Sequence, residues 1–529
     1  MGFPTKVQLI KRKASEQWYI NFPSAIAQAM EFARGEEVEW IVEDKRLLAL
    51  RRPSAPPPVL KNSSLLEQFQ TLWRQCTNSR CPARLDQRAQ LLALSSLLCL
   101  GRRTVTGLLS TCGAQFSDWS ASYRLFSQLR FDSSVLLAGI RAACLAQLPG
   151  SAPVCLSVDD SLLPKCGPKI PGVAWRRDPQ GPPFQTNLIR AQRILQFSAV
   201  VPLHNSPAVR AIPVDFLHVP TPPKLAKEAS PEQQKAHKQL TDSLNLATRA
   251  LQQWEQMKSA FAGRRVILLS DARFTTQRFL KGLPEDLTLV GRLRKDAKLF
   301  HLPDQQQANG RRRCYGAPAP TPEQIRQDES RPWQQIHIHA AGADHTCRIK
   351  VVDQLRWRPA GGERVLRLVV IAPLAYRPRK GSRLRYRDPA FLMCTDPALP
   401  PEQIVQHYFR RWDIEVNFRD QKTLLGVGQA QVHNPNSCQS VPALQVASYA
   451  LLLLAATHLQ PSEFLPPPKW RTRHCPERVS TQRLLRHLRA EVWGRGLGLT
   501  SFSGFSCNST PNDNPEKLLH TLPSALFYA

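Results

Sequence analysis

Acidic residues are scarce in this sequence compared with basic ones. Its 529 residues include 41 Asp and Glu against 71 Lys and Arg, which gives a formal net charge of +30. The basic excess is not confined to one tail, because it recurs from the N-terminus to Arg495. A cationic field of this kind holds phosphates and speeds encounter with DNA. The composition therefore indicates a nucleic-acid partner rather than a membrane surface or an acidic protein.

Paired cysteines of the kind that bind zinc are also missing. Thirteen cysteines are scattered along the chain without a C-x-x-C pattern, and the closest neighbours, Cys76 and Cys81, have no matching second pair. This distribution argues against a zinc site. The odd cysteine count and the lack of a recognisable signal peptide predict reduced thiols in a cytoplasm.

The sequence has no apolar run that suits a membrane span. A span needs about 20 consecutive and mostly apolar residues. The longest apolar stretch, residues 443–459, is shorter and includes Gln445, Ser448 and His458. We therefore expect a buried helix there, and no membrane association.

The N-terminal 50 residues form a compact pattern. Residues 6–51 contain an alternating apolar start, the strand-like WYINF, a helix start at Pro23 and Ser24, Gly35, and the apolar runs EVEWIV and LLALRR. This order predicts strand, short helix and hairpin. It resembles the swapped-hairpin AbrB-type domain, which dimerises and binds DNA or contacts an antitoxin partner. A basic dimerisation cap is the alternative.

Changes in composition predict seven segments. RRPSAPPPVLKN cannot sustain a helix and marks a boundary. In the helical part that follows, RRTVTGLLS after Gly101 suits the second helix of a helix-turn-helix, with plain helical packing as the alternative. The segments are a swapped-hairpin domain (1–52), a Pro-rich linker (53–62), a helical DNA-binding region (63–150), a core in two parts (151–298 and 401–460), a β-rich insertion (299–400) and a partly disordered C-terminal region (461–529).

Strand patterns begin at Val154. Three apolar runs, VCLSVD, RILQFSAVVPL and VRAIPVDFL, precede a long helix that Ser230 caps and that continues to Phe261, and the strand RVILLSD follows. This order, with acidic residues at strand ends, is typical of a ribonuclease H-like fold. The predicted fold class is α/β: a ribonuclease H-like catalytic core with a β-rich insertion, preceded by a small swapped-hairpin β domain and a helical DNA-binding region.

The segment YFRRWDIEVNFRDQK carries the most specific pattern in the chain. In a helix with about 100° per residue, Tyr408, Arg411, Glu415 and Lys422 fall within an arc of about 60°. Arg411 and Glu415 also have the spacing of an ordinary surface salt bridge. The full spacing Y-x2-R-x3-E-x6-K is similar to the Y-R-E-K signature of bacterial insertion-sequence DDE transposases, which are cut-and-paste enzymes with a ribonuclease H-like core.

This resemblance implies two aspartates upstream of Glu415. LSVDDSLLPKCG puts Asp159 and Asp160 at the end of the first core strand, and RVILLSDARF puts Asp271 directly after a later strand. Asp160 is the expected metal ligand, because it precedes the hydroxyl residue Ser161 and shares a strand face with the apolar residues before it. Asp159 remains the alternative.

The family's chemistry implies roles for these residues. Hard divalent cations prefer oxygen ligands, and two ions about 3.5–4 Å apart can activate a nucleophile and stabilise the leaving oxygen. By resemblance, two Mg²⁺ ions, with Mn²⁺ as a substitute, are expected on Asp160, Asp271 and Glu415. Contacts to DNA phosphates are expected from Tyr408, Arg411 and Lys422.

The expected function is a transposase that cleaves transposon ends and joins them to target DNA, as a homodimer in a synaptic complex. Two alternatives remain. One is a nuclease of the same fold without strand transfer. The other is a non-catalytic DNA-binding regulator derived from a transposase.

Overall fold

The computed structural model describes four short stretches near the N-terminus, residues 7–12, 15–20, 39–42 and 48–51, and then residues 64–496 with gaps. The gaps are residues 78–80, 117, 180, 183, 204–205, 304–312, 341, 362, 380 and 466–477. The chain divides into two compact units, Met1–Ser63 and Ser64–Ala529.

Among its described residues, the N-terminal unit contains two antiparallel hairpins. The first consists of β1 (Val7–Arg12) and β2 (Ser15–Ile20), and the second of β3 (Glu39–Val42) and β4 (Leu48–Arg51). The strands agree with the sequence pattern. The helix expected from Pro23 and Ser24 and the linker at 53–62 lie outside the described residues, and the likeness to AbrB-type domains stays a prediction.

Five helices follow within the described part of the chain: α1 (Leu65–Thr77), α2 (Ala83–Leu98), α3 (Val105–Thr111), α4 (Ser120–Ser127) and α5 (Ser133–Ala146). The helical character of this region is therefore confirmed. Helix α3 begins after the arginine pair of RRTVTGLLS, because the Thr104 hydroxyl accepts the Gly107 N–H and caps the helix there. DNA binding by this region stays a prediction.

The described strands of the second unit form one 11-stranded sheet and a separate two-stranded hairpin. In chain order they are β5 (Val154–Pro164), β6 (Ala174–Arg177), β7 (Leu188–Pro202), β8 (Val209–His218), β9 (Val266–Ser270), β10 (Leu287–Arg292), β11 (Leu299–His301), β12 (Gln334–Ala340), β13 (Ala343–Trp357), β14 (Leu366–Ile371), β15 (Ala375–Tyr376), β16 (Arg385–Tyr386) and β17 (Ala390–Cys394).

The centre of the large sheet has the strand order β8-β7-β5-β9-β10. Strand β7 lies antiparallel between β5 and β8, whereas β9 runs parallel to both β5 and β10. All five residues of β9 are buried, because the sheet is covered on both faces. Three antiparallel strands continued by two parallel ones form the ribonuclease H-like arrangement that the sequence predicts.

The helix that Ser230 caps is shorter than predicted. Ser230 and Gln233 form a capping box for α6 (Pro231–Ser243), but a second helix, α7 (Leu246–Met257), follows it. The prediction of one helix to Phe261 is wrong, because the Asn245 side chain accepts the Ala247 N–H and starts a new helix. Helix α6 has no buried residues, whereas α7 packs its apolar face into the core.

Apart from the hairpin β15–β16, the described strands at residues 299–400 continue the core sheet. A short helix, α8 (Gln277–Gly282), follows β9, and α9 (Pro322–Gln327) precedes β12. Strand β17 pairs with β10 on one side and with β14 on the other, so the last strand of this region closes onto the core. The region is β-rich as the sequence indicates, and most of its described strands extend the core sheet.

A buried lysine ties α9 to this extension. Lys350 on β13 is only 3% exposed. Its Nζ donates hydrogen bonds to the carbonyl oxygens of Ile325, Arg326 and Asp328 at 3.3, 3.0 and 2.6 Å, at the C-terminal end of α9. A cation suits this position, because the last carbonyls of a helix lack partners within the helix.

We expect Lys350→Met to lower the free energy of unfolding by about 2 kcal/mol, because three carbonyl oxygens lose their donor. Urea denaturation of the full chain measures the change. Lys298→Met, at an exposed position directly before β11, is the matched control and should leave the midpoint almost unchanged. Equal effects of the two substitutions would contradict a stabilising role for Lys350.

The segment predicted as one signature helix is divided at Arg411. Helix α10 (Pro401–Arg410) ends there and α11 (Trp412–Thr423) begins directly after it. The Ile414 N–H bonds to the Arg411 carbonyl, three residues back, as in a 3₁₀ turn. This tighter turn interrupts the α-helical bonding pattern. Arg411 itself keeps helical backbone angles, so Arg411 and Glu415 still share one side.

Two helices complete the described residues, α12 (Pro435–Ala456) and α13 (Thr481–Gly496). Helix α12 is long and apolar enough to cross a membrane, but 89% of its most apolar window is buried inside the protein, which confirms the predicted buried helix. Helix α13 lies in the region predicted to be partly disordered, and its buried Leu484 and Leu488 explain why it forms. Residues 497–529 lie outside the described part.

Candidate active site

Two aspartates lie at the same level on neighbouring parallel strands. In the register of β5 and β9, Val158 is opposite Ser270, so Asp159 and Asp271 occupy the next position on each chain. Side chains at matched positions of adjacent parallel strands point to the same face, and the strands are about 4.8 Å apart. Asp159 and Asp271 therefore share one face at the carboxyl edge of the core sheet.

The same face of β5 carries α11. This helix packs on β5 and β8. The Lys422 ammonium donates to the Ser161 hydroxyl at 2.6 Å, and Arg411 Nη1 lies 3.8 Å from Asp159 Oδ2. Because Asp159 and Ser161 alternate with Asp160 along the strand, the odd-numbered positions face the helix. Two residues of the predicted signature therefore contact the face that carries Asp159.

Asp160, the aspartate expected from the sequence to bind metal, is held by arginines. Arg273 Nη1 donates to its two carboxylate oxygens at 2.7 and 2.8 Å, and Arg193 Nε lies 3.2 Å from Oδ2. The Asp160 side chain is 1% exposed. Its charge is thus already compensated by two guanidinium groups.

Asp159 has the opposite environment. Burial raises the pKa of its carboxyl group to about 7, and the negative charges of Asp271 and Asp160 add to the effect, whereas Arg411 opposes it. Its Oδ1 accepts the backbone N–H of Asp160 at 2.8 Å. Arg411 compensates this buried pair of carboxylates only in part, and a bound cation can supply further positive charge.

Glu415 belongs to the helix that faces these aspartates. Its Oε1 accepts a hydrogen bond from Arg411 Nη2 at 2.8 Å, and its side chain is 34% exposed. Arg411 is buried and lies between Glu415 and Asp159, with its guanidinium 5.4 Å from the centre of the Tyr408 ring. The four signature residues are therefore brought to one side of the core sheet, where Arg411 contacts Tyr408 and Glu415, and Lys422 contacts Ser161.

The donor set fits a divalent cation. Carboxylate oxygens are the ligands that Mg²⁺ and similar ions prefer, and Asp159 and Asp271 present them from adjacent strands. In the arrangement described here, no group of three His, Cys, Asp or Glu side chains among the described residues is close enough together to enclose an ion. Glu415 instead pairs with Arg411.

Buried polar contacts fix α11 on the sheet. Asn417 Nδ2 donates to the Ala211 carbonyl at 3.0 Å, and Gln421 Nε2 donates to Gln196 Oε1 at 2.8 Å. Both side chains are about 1% exposed. Sequence reasoning missed these two residues, although their i,i+4 spacing on the signature helix indicates one polar side turned inward. They hold the helix that carries Glu415.

One family comparison covers most of this site. The profile of the DDE superfamily endonucleases matches residues 75–358, which is more than half of the chain. The match includes β5 and β9 with their aspartates and ends before Glu415. No curated protein sequence matches the chain significantly. The chain belongs to the DDE superfamily endonucleases, whose members act on DNA and generally use divalent metal ions.

Proposed function

We propose that the chain is a DDE transposase that cleaves the DNA ends of a mobile element and joins them to target DNA, with Asp159, Asp271 and Glu415 as its catalytic carboxylates. The observation that carries the proposal is the pair Asp159 and Asp271, level on adjacent parallel strands beneath the helix of Glu415. The sequence favours Asp160 and leaves Asp159 open. The arginine contacts of Asp160 support Asp159.

These three carboxylates would hold divalent ions, Mg²⁺ or in its place Mn²⁺. Such ions supply an activated nucleophile and stabilise negative charge on the leaving oxygen. Asp159 is suited to this role because its burial and the nearby Asp271 disfavour its ionised form when no cation is near. A bound cation therefore stabilises ionised Asp159 more than it would stabilise an aspartate that water already solvates.

The basic residues around the carboxylates orient DNA. Arg411 and Lys422 reach this face from α11 and carry fixed positive charge beside Asp159. Their donors suit phosphate oxygens, which position a DNA backbone without reading its sequence. Tyr408, whose ring lies against the Arg411 guanidinium, steadies that group. The Y-x2-R-x3-E-x6-K spacing supports strand transfer in addition to cleavage.

The test uses end-labelled duplex DNA taken from the sequences that flank the coding region, together with a plasmid target and Mg²⁺. Wild-type protein should yield cleaved ends and joined products. Asp271→Asn and Glu415→Gln should yield neither, while both variants still bind the DNA. An exposed Glu232→Gln variant on α6 is the matched control and should retain full activity.

Each outcome separates the candidate functions. Cleavage without joined products would reduce the proposal to a nuclease of the same fold. Equal products from wild type, Asp271→Asn and Glu415→Gln would overturn the assignment of the carboxylates. DNA binding without any cleavage by the wild type would favour a non-catalytic regulator. If the synaptic complex is a homodimer, joining requires that one protein complex hold two DNA ends at the same time. DNA binding requires only one end.

A further inference from the structure

A hairpin arm extends from the catalytic sheet. Strands β14 and β17 pair up to Ile371 and Ala390, and the chain between them continues as the two-stranded ribbon β15–β16. We call residues 375–387 the arm. Its strands belong to no other sheet in the described part of the chain, so the arm stands out as a narrow β-ribbon.

The arm leaves the sheet at the edge that carries the catalytic aspartates. Strand β17 runs antiparallel to β10, with Leu392 opposite Arg292, and β10 is parallel to β9. The start of β17 therefore lies at the same edge as the end of β9, where Asp271 follows. Two strand spacings separate β17 from β9, which corresponds to about 10 Å.

The arm is strongly basic and exposed. Residues 375–387 contain six Lys and Arg and no Asp or Glu. Arg379, Arg383 and Arg385 are exposed, and none of them forms a salt bridge to an acidic side chain in the described residues. Tyr376 and Tyr386 at the base of the arm are 37% and 65% exposed. A ribbon that serves only to link two strands does not require this concentration of charge.

Local contacts give the arm a defined shape. The Ser382 N–H bonds to the Arg379 carbonyl at 3.0 Å and closes a turn, in which Gly381 has a φ of +81° that favours glycine. At the base, the Arg387 guanidinium lies 5.2 Å from the centre of the Tyr376 ring. The arm is therefore formed before it meets a partner, which lowers the entropic cost of binding.

The base of the arm borders a groove that extends to Arg411. Tyr376, Tyr386 and Arg387 line this groove of about 1610 Å³ together with Tyr408 and Arg411. A DNA backbone that follows this groove from the arm reaches Arg411, which contacts Glu415. The arm and the candidate active site can thus hold one and the same DNA molecule.

We propose that the arm lies in the major groove of duplex DNA next to the site of cleavage, with Arg379, Arg383 and Arg385 on the phosphates. A two-stranded ribbon fits the major groove, which is about 12 Å wide. The arginines give a grip that does not depend on base sequence. This inference deepens the proposed function and rests on its premise that DNA is the substrate.

The test compares two triple variants of the full chain. The arm variant carries Arg379→Gln, Arg383→Gln and Arg385→Gln. The control variant removes the same charge from exposed positions before and within α6, through Lys224→Gln, Lys227→Gln and Lys235→Gln. Affinity for a 30-base-pair duplex of arbitrary sequence is measured in EDTA over a range of salt concentrations. Thermal melts show whether both variants keep the wild-type fold.

We expect the arm variant to reduce the slope of log K against log salt by about 2 to 3, because each lost phosphate contact removes about 0.9. Its affinity at 0.1 M salt should fall at least about tenfold. The control variant should show little change in the salt slope or in the affinity. Equal losses in both variants, or a loss confined to a single-stranded probe, would overturn the arm proposal. Because EDTA prevents metal-dependent cleavage, failure of the catalytic proposal would not alter this result.

Discussion

We expect Asp159→Asn to lower the rate of Mg²⁺-dependent DNA cleavage roughly 10³-fold, and Asp160→Asn, corrected for its folded fraction, to lower it much less. The reason is that Asp159 faces Asp271 and the helix of Glu415, while Asp160 pairs with Arg193 and Arg273. Loss of metal-assisted charge stabilisation worth about 4 kcal/mol corresponds to that factor. The rate is measured under single-turnover conditions with saturating protein.

Metal binding provides a readout that is independent of turnover. Mn²⁺ titration, followed by the thermal midpoint, should stabilise wild type and Asp160→Asn but not Asp159→Asn, because a ligand stabilises only the protein that binds it. If Asp160→Asn abolishes stabilisation by Mn²⁺ and Asp159→Asn retains it, the assignment of the two neighbours is reversed.

The raised pKa of Asp159 predicts how stability without metal depends on pH. Its folded pKa of about 7 lies above the unfolded value of 3.8. The folded state therefore holds the proton more tightly, and the stability linked to this proton is complete below about pH 4 and is lost as the pH rises to about 7. In EDTA, Asp159→Asn should be more stable than wild type by a few kcal/mol at pH 8 and should not be so at pH 4. Urea denaturation at both values measures the difference.

The core order and the helix of Glu415 follow from local patterns in the sequence. Short, mainly apolar runs predict the core strands, and the buried run at 443–459 covers the second half of α12. The break at Asn245 also has a local signal, because Asn is a strong helix N-cap. The apolar spacing that continues through this position favours one helix and masks that signal. Local signals thus cover most elements of the core.

The distinction between Asp159 and Asp160 depends on contacts far apart in the sequence. Which of two consecutive strand residues faces the site is decided by the register of β5 with β9 and by the side on which α11 packs. Neither is encoded near LSVDDS. The partners of Asp160 illustrate the same limit: Arg193 is about 30 residues away and Arg273 more than 100. A local sequence pattern cannot predict an ion pair between residues so far apart in the chain.

Asp160 supports the loop after β9 through Arg273. The Arg273 backbone N–H donates to Asp271 Oδ1 at 2.8 Å, and its guanidinium binds both oxygens of Asp160. The aspartate that the sequence favours as a ligand thus acts, in this arrangement, as the counter-ion that holds Arg273 beside Asp271, one of the proposed ligands. This role is structural, and it predicts a large effect on stability.

Asp160→Asn should lower the free energy of unfolding by about 3 kcal/mol at pH 7, because removal of one partner leaves two guanidinium groups without a carboxylate in a largely buried site. Arg273 is 48% exposed, so water can solvate its guanidinium group when the carboxylate is removed. Arg193 is only 25% exposed, and water compensates less well there. Urea denaturation measures the change, with Asp286→Asn, at an exposed position before β10, as a control.

A double-mutant cycle shows whether the loss of stability comes from the broken ion pair or from general disruption of the strand. If Asp160 acts through Arg273, Arg273→Gln should cost less in the Asp160→Asn background than in the wild type, and the two losses will not add. Additive losses would contradict the pairing. Because Arg273 also contacts Asp271 through its backbone, which the substitution leaves in place, the cycle reports on the side-chain pair. In this account one member of the Asp-Asp pair binds the metal and its neighbour neutralises the arginines around it.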